Sequence, residues 1–124
     1  MIHVTEEEFQ GFIDLSFESI PGTFREKLEN LVFIVEDYPS NHDLERLGLK
    51  HREQLLGLYS GTPYTHRNTS YMGTIPDRII LFQKNIESIC HSTEELKSKV
   101  KEVIIHEIAH YFGMSESEIR NAGY

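Results

Sequence analysis

The 124-residue sequence has one cysteine, Cys90, and no tryptophan. A single thiol excludes an intramolecular disulfide, so noncovalent packing has to hold the chain. Long apolar runs are missing too. The longest purely aliphatic or aromatic run is Leu31-Val32-Phe33-Ile34-Val35, far short of the roughly 20 residues a membrane helix requires. The start, Met1-Ile2-His3-Val4-Thr5-Glu6-Glu7-Glu8, lacks the basic and apolar regions of a secretory signal. With the lone cysteine, these absences lead to the expectation of a cytoplasmic protein. Basic residues are scarce: 12 Lys and Arg stand against 20 Asp and Glu, for a formal charge of −8. Nucleic-acid and anionic-membrane binders need a basic face to displace counterions, so neither partner is expected. The acidic surplus suits basic or neutral ligands, and an acidic surface kept for solubility is the stronger reading of it. No repeat or low-complexity stretch is visible, and residues 1–124 are expected to form one domain.

Ordered elements alternate along the chain. Thr5 and Glu8 form a capping-box pattern. Phe9, Phe12, Ile13, Phe17 and Ile20 follow at helical spacing until Pro21-Gly22. A second short helix is expected over Thr23–Asn30, a buried strand over Leu31–Val35, and a turn over Asp37–Asn41. Asp43–Leu47 reads as one helical turn ended by Gly48. Gln54–Tyr59 reads as a strand with a bulge at Gly57. Gly61–Pro76 reads as a long irregular loop, of the kind that often carries function, with Tyr59, Tyr64 and Tyr71 in or beside it. A strand over Arg78–Phe82 and a short helix or turn over Asn85–Cys90 come next. Ser92 and Glu95 repeat the capping box and open a helix over 93–112 that stops at Gly113. Ser115 and Glu118 open a last helix over Glu116–Asn121. The result is an α+β fold, a small mixed sheet of about three strands packed with helices.

The chemistry concentrates in Val103 to Phe112, which reads V-I-I-H-E-I-A-H-Y-F. Apart from the Tyr111 hydroxyl, its only polar side chains are His106, Glu107 and His110. Apolar residues sweep more than half the helix circumference, so the segment is buried on several sides. Two imidazoles and a carboxylate are costly there without a partner, and a divalent cation supplies one. Residues four apart share a helix face, so His106 and His110 can present ring nitrogens to one ion. Glu107 sits about 100° round the helix, placed to hold and deprotonate a metal-activated water as general base. By composition alone, an H-E-x-x-H arises in a chain like this with odds of roughly 1 in 20. The apolar surround and the defined helix ends make this instance more specific.

A catalytic zinc takes a third protein ligand and keeps an open position. With Tyr124 only 14 positions after His110, a separate long ligand helix is not expected. Gly113 instead allows the chain to turn back, which brings forward Glu116, ten positions after His106. Glu118 and a two-histidine site completed by water are the alternatives. Glu116 also has an ordinary role open to it, complementing the dipole of the last helix.

At these residues the sequence resembles the zincin metallopeptidases, and specifically the small bacterial minimal zincin family with its pattern H-E-x-x-H-x-x-G-x-x-D. The likeness extends through Leu55-Leu56-Gly57-Leu58-Tyr59-Ser60-Gly61 and Pro76-Asp77-Arg78-Ile79-Ile80-Leu81-Phe82. The resemblance implies a compact zincin fold, a catalytic zinc held by His106, His110 and Glu116, and Glu107 as base in peptide-bond hydrolysis of the metalloendopeptidase type. This chain has Glu at 116 where the family commonly has Asp. It has neither the third histidine nor the methionine turn of the larger metzincins, since Met114 lies inside the motif. Tyr111, Tyr71 and Tyr64 are the candidate oxyanion donors.

Two other readings stay open on sequence alone. A zinc hydrolase family acting on RNA shares histidines at spacings four and ten, but it lacks the Glu after the first His and has His as third ligand. A metal-stabilised or metal-free binding module would have a coordination sphere closed by four protein ligands or none at all. His/His/carboxylate also suits Fe(II), Mn(II) or Co(II), although H-E-x-x-H on one helix favours zinc. His3, His42, His51, His66 and His91 are expected to lie at the surface, with His66 able to approach the site from its loop. Cys90 reads as a small buried hydrophobe.

Overall fold

A computed structural model describes residues 2–28, 30–61 and 77–123. The long loop, with Tyr64, His66 and Tyr71, lies outside the described residues. Helix α1 (Glu6–Glu18) begins at the expected capping box: the Thr5 hydroxyl accepts from the Glu8 N–H, and the Glu8 carboxylate accepts from the Thr5 N–H. Helix α2 (Gly22–Arg25) runs into a 3-10 turn at Glu26–Leu28. Strand β1 (Leu31–Glu36) follows, then α3 (Asn41–Leu47), a 3-10 turn at Arg52–Gln54, and β2 (Gly57–Ser60). Strand β3 (Asp77–Phe82) leads directly into α4 (Gln83–Ser88). Helices α5 (Thr93–Tyr111) and α6 (Glu116–Asn121) close the chain. None of the described helices is long and apolar enough to cross a membrane.

The three strands form one mixed sheet in the order β1-β3-β2. β1 runs parallel to β3, with Phe33 opposite Ile79 and Val35 opposite Leu81; β2 runs antiparallel, with Leu58 opposite Ile80. Alternation sends successive residues of β3 to opposite faces, and both faces are covered. Ile79 and Leu81 join Phe9 and Ile13 of α1 and Leu96, Val100, Ile104 and Ile108 of α5 in the main core. Ile80 and Phe82 pack with Leu58, Ile34 and Leu55 on the other side. A strand buried on both faces needs a continuous apolar run, which is why Ile79-Ile80-Leu81-Phe82 shows no alternation.

Strand β2 starts three residues later than expected, and Gly57 is no bulge. It keeps regular register opposite Leu81. Its reason for being glycine is α5: a Cβ there would lie 2.6 Å from Val103 Cγ1. The missing side chain lets the helix press against the strand and so sets the width of the space between them. The wall before β2 is pinned by Asn85 of α4, buried to 1% exposure, whose side-chain amide donates to the Leu55 carbonyl at 2.8 Å. Cys90 is fully buried, as expected.

Candidate metal centre

Helix α5 carries the first three site residues on two adjoining faces. Ile104 and Ile108 are buried in the core, while His106 and His110 are half-buried on the side facing β2 and α6. Their rings meet edge to face with centroids 5.1 Å apart, as the i, i+4 spacing requires. Ring nitrogens of both histidines and a carboxylate oxygen of Glu107 all lie within 4.8 Å of one another.

The C-terminal end of α5 brings Glu116 to the same place. Gly113 adopts the left-handed conformation, φ 84°. The Met114 N–H then donates to the Ala109 carbonyl and the Gly113 N–H to the His110 carbonyl. This paired closure ends the helix and reverses the chain. Ser115 caps α6 by accepting from the Glu118 N–H, and Glu118 accepts from the Ser115 N–H in return. Ile119, 1% exposed, anchors the short helix. Glu116, at its first position, places Oε1 3.0 Å from His106 Nε2 and 2.8 Å from His110 Nε2, contacts in which a protonated ring nitrogen donates. Glu118 is thus occupied in the cap, and of the two acidic residues weighed from the sequence it is Glu116 that reaches both histidines.

The two carboxylates at the site are opposites. Glu107 is 8% exposed. Burial pushes its carboxyl above the ordinary range, against the pull of the two histidines and of the Tyr59 N–H, which donates to Oε1 at 3.0 Å. Glu116 is exposed. Desolvation is the largest single influence and acts upward, but the hydrogen bonds and charges of His106 and His110 together outweigh it and hold the carboxyl below the usual value. One carboxyl resists ionisation in its buried setting; the other is held in its anionic form by two imidazoles.

The donor set fits a small divalent cation. Two imidazole nitrogens and one carboxylate oxygen are the ligands of many catalytic zinc sites. A tetrahedron with bonds of 2.0–2.1 Å has edges of about 3.4 Å, and the two histidine–Glu116 contacts of 3.0 and 2.8 Å lie within about half an ångström of that. The group whose donor atoms all lie within 4.8 Å of one another is His106, Glu107 and His110, and Glu116 adds a carboxylate oxygen in contact with both histidines.

Two sequence expectations need adjustment. Tyr111 is not an oxyanion donor: it is 1% exposed, and its hydroxyl donates to the Lys27 carbonyl at 2.8 Å, tying α5 to the turn after α2. Among the described residues Tyr59 is the tyrosine that lines the site, and its backbone N–H meets Glu107. Its hydroxyl donates to Asp77 Oδ2 at 3.2 Å. Sequence reasoning held Tyr59 only as a residue beside the loop, because an edge-strand N–H leaves no mark on residue type. The whole constellation lines a groove of about 710 Å³ between β2 and α5, within the usual range for ligand sites.

No curated protein matches the sequence. A family model described as zincin-like metallopeptidase matches residues 28–124, which takes in the sheet, α5 and α6. The metal-compatible H-E-x-x-H helix and the mixed sheet beside it are therefore those of a known family, and the chain belongs to the zincin-like metallopeptidases.

Proposed function

We propose that the protein is a zinc-dependent peptidase, of the endopeptidase type, in which His106, His110 and Glu116 hold the metal and Glu107 is the general base. The observation that carries this reading is that His106 Nε2 and His110 Nε2 both meet Glu116 Oε1, with the buried carboxylate of Glu107 beside them. When bound, zinc supplies Lewis-acid polarisation of a carbonyl and makes water acidic enough to be deprotonated near neutral pH. Every other part falls to the chain. The Tyr59 N–H holds the Glu107 carboxylate in place through Oε1, and that carboxylate takes the proton of the attacking water. Its burial keeps bulk water from competing for that proton, and the same carboxyl can afterwards deliver it to the leaving amine. The groove alongside β2 gives a peptide or protein substrate a place to lie in extended form. The fully buried Cys90 suits a cytoplasmic setting, and residues 1–124 act as a single domain in this reading.

The test is Glu107→Gln against wild type, both loaded with zinc, on a mixed peptide library read by mass spectrometry. Wild type is expected to cleave, and the variant to hold equal zinc while cleaving about 100- to 10,000-fold more slowly. Equal cleavage by both, or none by zinc-loaded wild type, would contradict the assignment.

A further inference from the structure

The carboxyl of Asp77 has no part in the chemistry above, yet the residue is 1% exposed. A polar side chain this deep costs stability unless it is bonded. Asp77 opens β3, the central strand, and reaches to both sides. Its N–H donates to the Asn30 carbonyl at 2.9 Å, just before β1. Its side chain turns the other way, where Oδ2 accepts from the Tyr59 hydroxyl of β2 at 3.2 Å. Tyr59 and Gly61, two positions apart, point to the same face. A Cβ on Gly61 would run into the Asp77 carboxyl, so the glycine leaves the room that the carboxyl fills. The Tyr59 ring is held a second time by Tyr111, edge to face with centroids 5.9 Å apart.

Strand β2 needs such a hold. It has four residues, and among the described residues it pairs only with β3. Short elements with few partners open locally at small cost. Yet the Tyr59 N–H of this strand is the group that holds Glu107. We propose that Asp77 is a positioning residue for the reaction: through the Tyr59 hydroxyl it fixes the edge strand, and with it the N–H that holds the general base. The proposal rests on the peptidase reading above. Gly57 against Val103 sets how far β2 stands from α5; Asp77 sets where Tyr59 stops along the strand and how it is turned. With that hold gone, the N–H drifts from Glu107 and the base loses its aim. A misplacement of about 1 Å costs up to about a hundredfold in rate. Asp77 is not among the residues lining the groove, so zinc binding is independent of it.

Wild type, Tyr59→Phe, Asp77→Ala and the double variant test this in two ways. Tyr59→Phe keeps the ring on Tyr111 and deletes only the hydroxyl, so the test survives if Asp77→Ala fails to fold. The first readout is amide hydrogen exchange by NMR on metal-free protein. The Tyr59 amide should exchange about three- to tenfold faster in each variant, measured against the Ile79 and Ile80 amides of the central strand as internal reference. The second is zinc affinity with kcat and KM on a peptide that wild type cleaves. Zinc affinity and KM should stay at the wild-type value while kcat falls about ten- to a hundredfold. The double variant should be no slower than the slower single one, because both remove the same hydrogen bond. A role confined to stability would speed exchange at all these amides together and leave kcat of the folded protein unchanged, which would overturn the proposal. So would a Tyr59 amide as protected in Tyr59→Phe as in wild type, fully additive losses in the double variant, or weakened zinc binding. Absence of cleavage by zinc-loaded wild type would instead overturn the peptidase reading, while exchange at Tyr59, read without metal, would still decide whether Asp77 holds the strand.

Discussion

Two glutamates in this molecule are buried to nearly the same extent and serve different ends. Glu87 of α4 is 2% exposed and Glu107 of α5 is 8% exposed. Glu87 Oε2 accepts from the Val4 N–H at 2.9 Å and from the Gln83 amide at 3.2 Å, and His3 lies 3.7 Å from Oε1. It pins the N-terminal segment to α4, and its hydrogen-bonding capacity is largely used up. Glu107 accepts from one backbone N–H and otherwise lies beside the two imidazoles of its own helix, at the edge of a groove. Burial of a carboxylate is therefore no mark of a working site by itself. What distinguishes Glu107 is unspent acceptor capacity directed at a cluster of metal-ligating atoms, in a place where ionisation is disfavoured.

The most severe way to probe this contrast is to neutralise each residue in turn. Glu107→Gln should cost about 100- to 10,000-fold in peptide cleavage with zinc retained, whereas Glu87→Gln should leave cleavage intact. Glu87→Ala should show itself in a urea melt instead, losing about 1–3 kcal/mol because the Val4 N–H loses its acceptor. A Glu87 variant that abolished cleavage at full stability would erase the distinction.

Next in size is the strand that holds Glu107. Gly57→Ala puts a Cβ 2.6 Å from Val103 Cγ1, and overpacking of this kind costs about 1–3 kcal/mol. Cleavage should fall as well, because β2 must move away from α5 and take the Tyr59 N–H with it. A variant as stable and as active as wild type would show that the close approach is unimportant.

The return of the chain after α5 is the third target. Gly113→Ala forces a side chain into φ 84°, at a cost of about 1–2 kcal/mol. Ser115→Ala removes the α6 cap, for about 1 kcal/mol. Both should weaken zinc binding through Glu116 without touching a ligand, and zinc titration checks it.

The smallest effect concerns pH. The Glu107 carboxyl is raised above its ordinary value of 4.5 by burial. A raised carboxyl binds its proton more tightly in the folded state, so its contribution to stability is favourable at low pH and is lost as pH rises through the folded value. Metal-free Glu107→Gln should therefore be at least as stable as metal-free wild type at neutral pH, with the difference shrinking on acidification. Urea melts at the two pH values decide the sign.

Much of this was legible in residue order. The α5 boundaries, the Ser115 cap and the extent of α6 follow from Ser-x-x-Glu patterns and a glycine stop, local signals that depend on few neighbours. Glu116 was reachable because Gly113 and Ser115 together dictate a reversal of known length. What residue order hid was contact between distant segments. Gly57 reads as a weak point in a strand until α5 lies against it. Leu55-Leu56 reads as strand because it is apolar, yet it is the wall leading into β2, held by Asn85 from thirty residues away. Tyr111 looks like a site tyrosine by position, and only the path of the chain after α2 shows that Lys27 takes its hydroxyl. The partner of Glu107 is a backbone amide, which any residue at 59 other than proline supplies.

The account stands on the claim that His106, His110 and Glu116 act together as the ligands of one ion. Zinc stoichiometry and affinity, measured on wild type, His110→Ala, Glu116→Ala and Glu107→Gln, test it directly. Wild type and Glu107→Gln should each bind one zinc with similar affinity, His110→Ala should bind none, and Glu116→Ala should bind more than about 100-fold more weakly, beyond what losing an outer-shell partner causes. A full equivalent of tightly held zinc in His110→Ala, or undiminished affinity in Glu116→Ala, would contradict it.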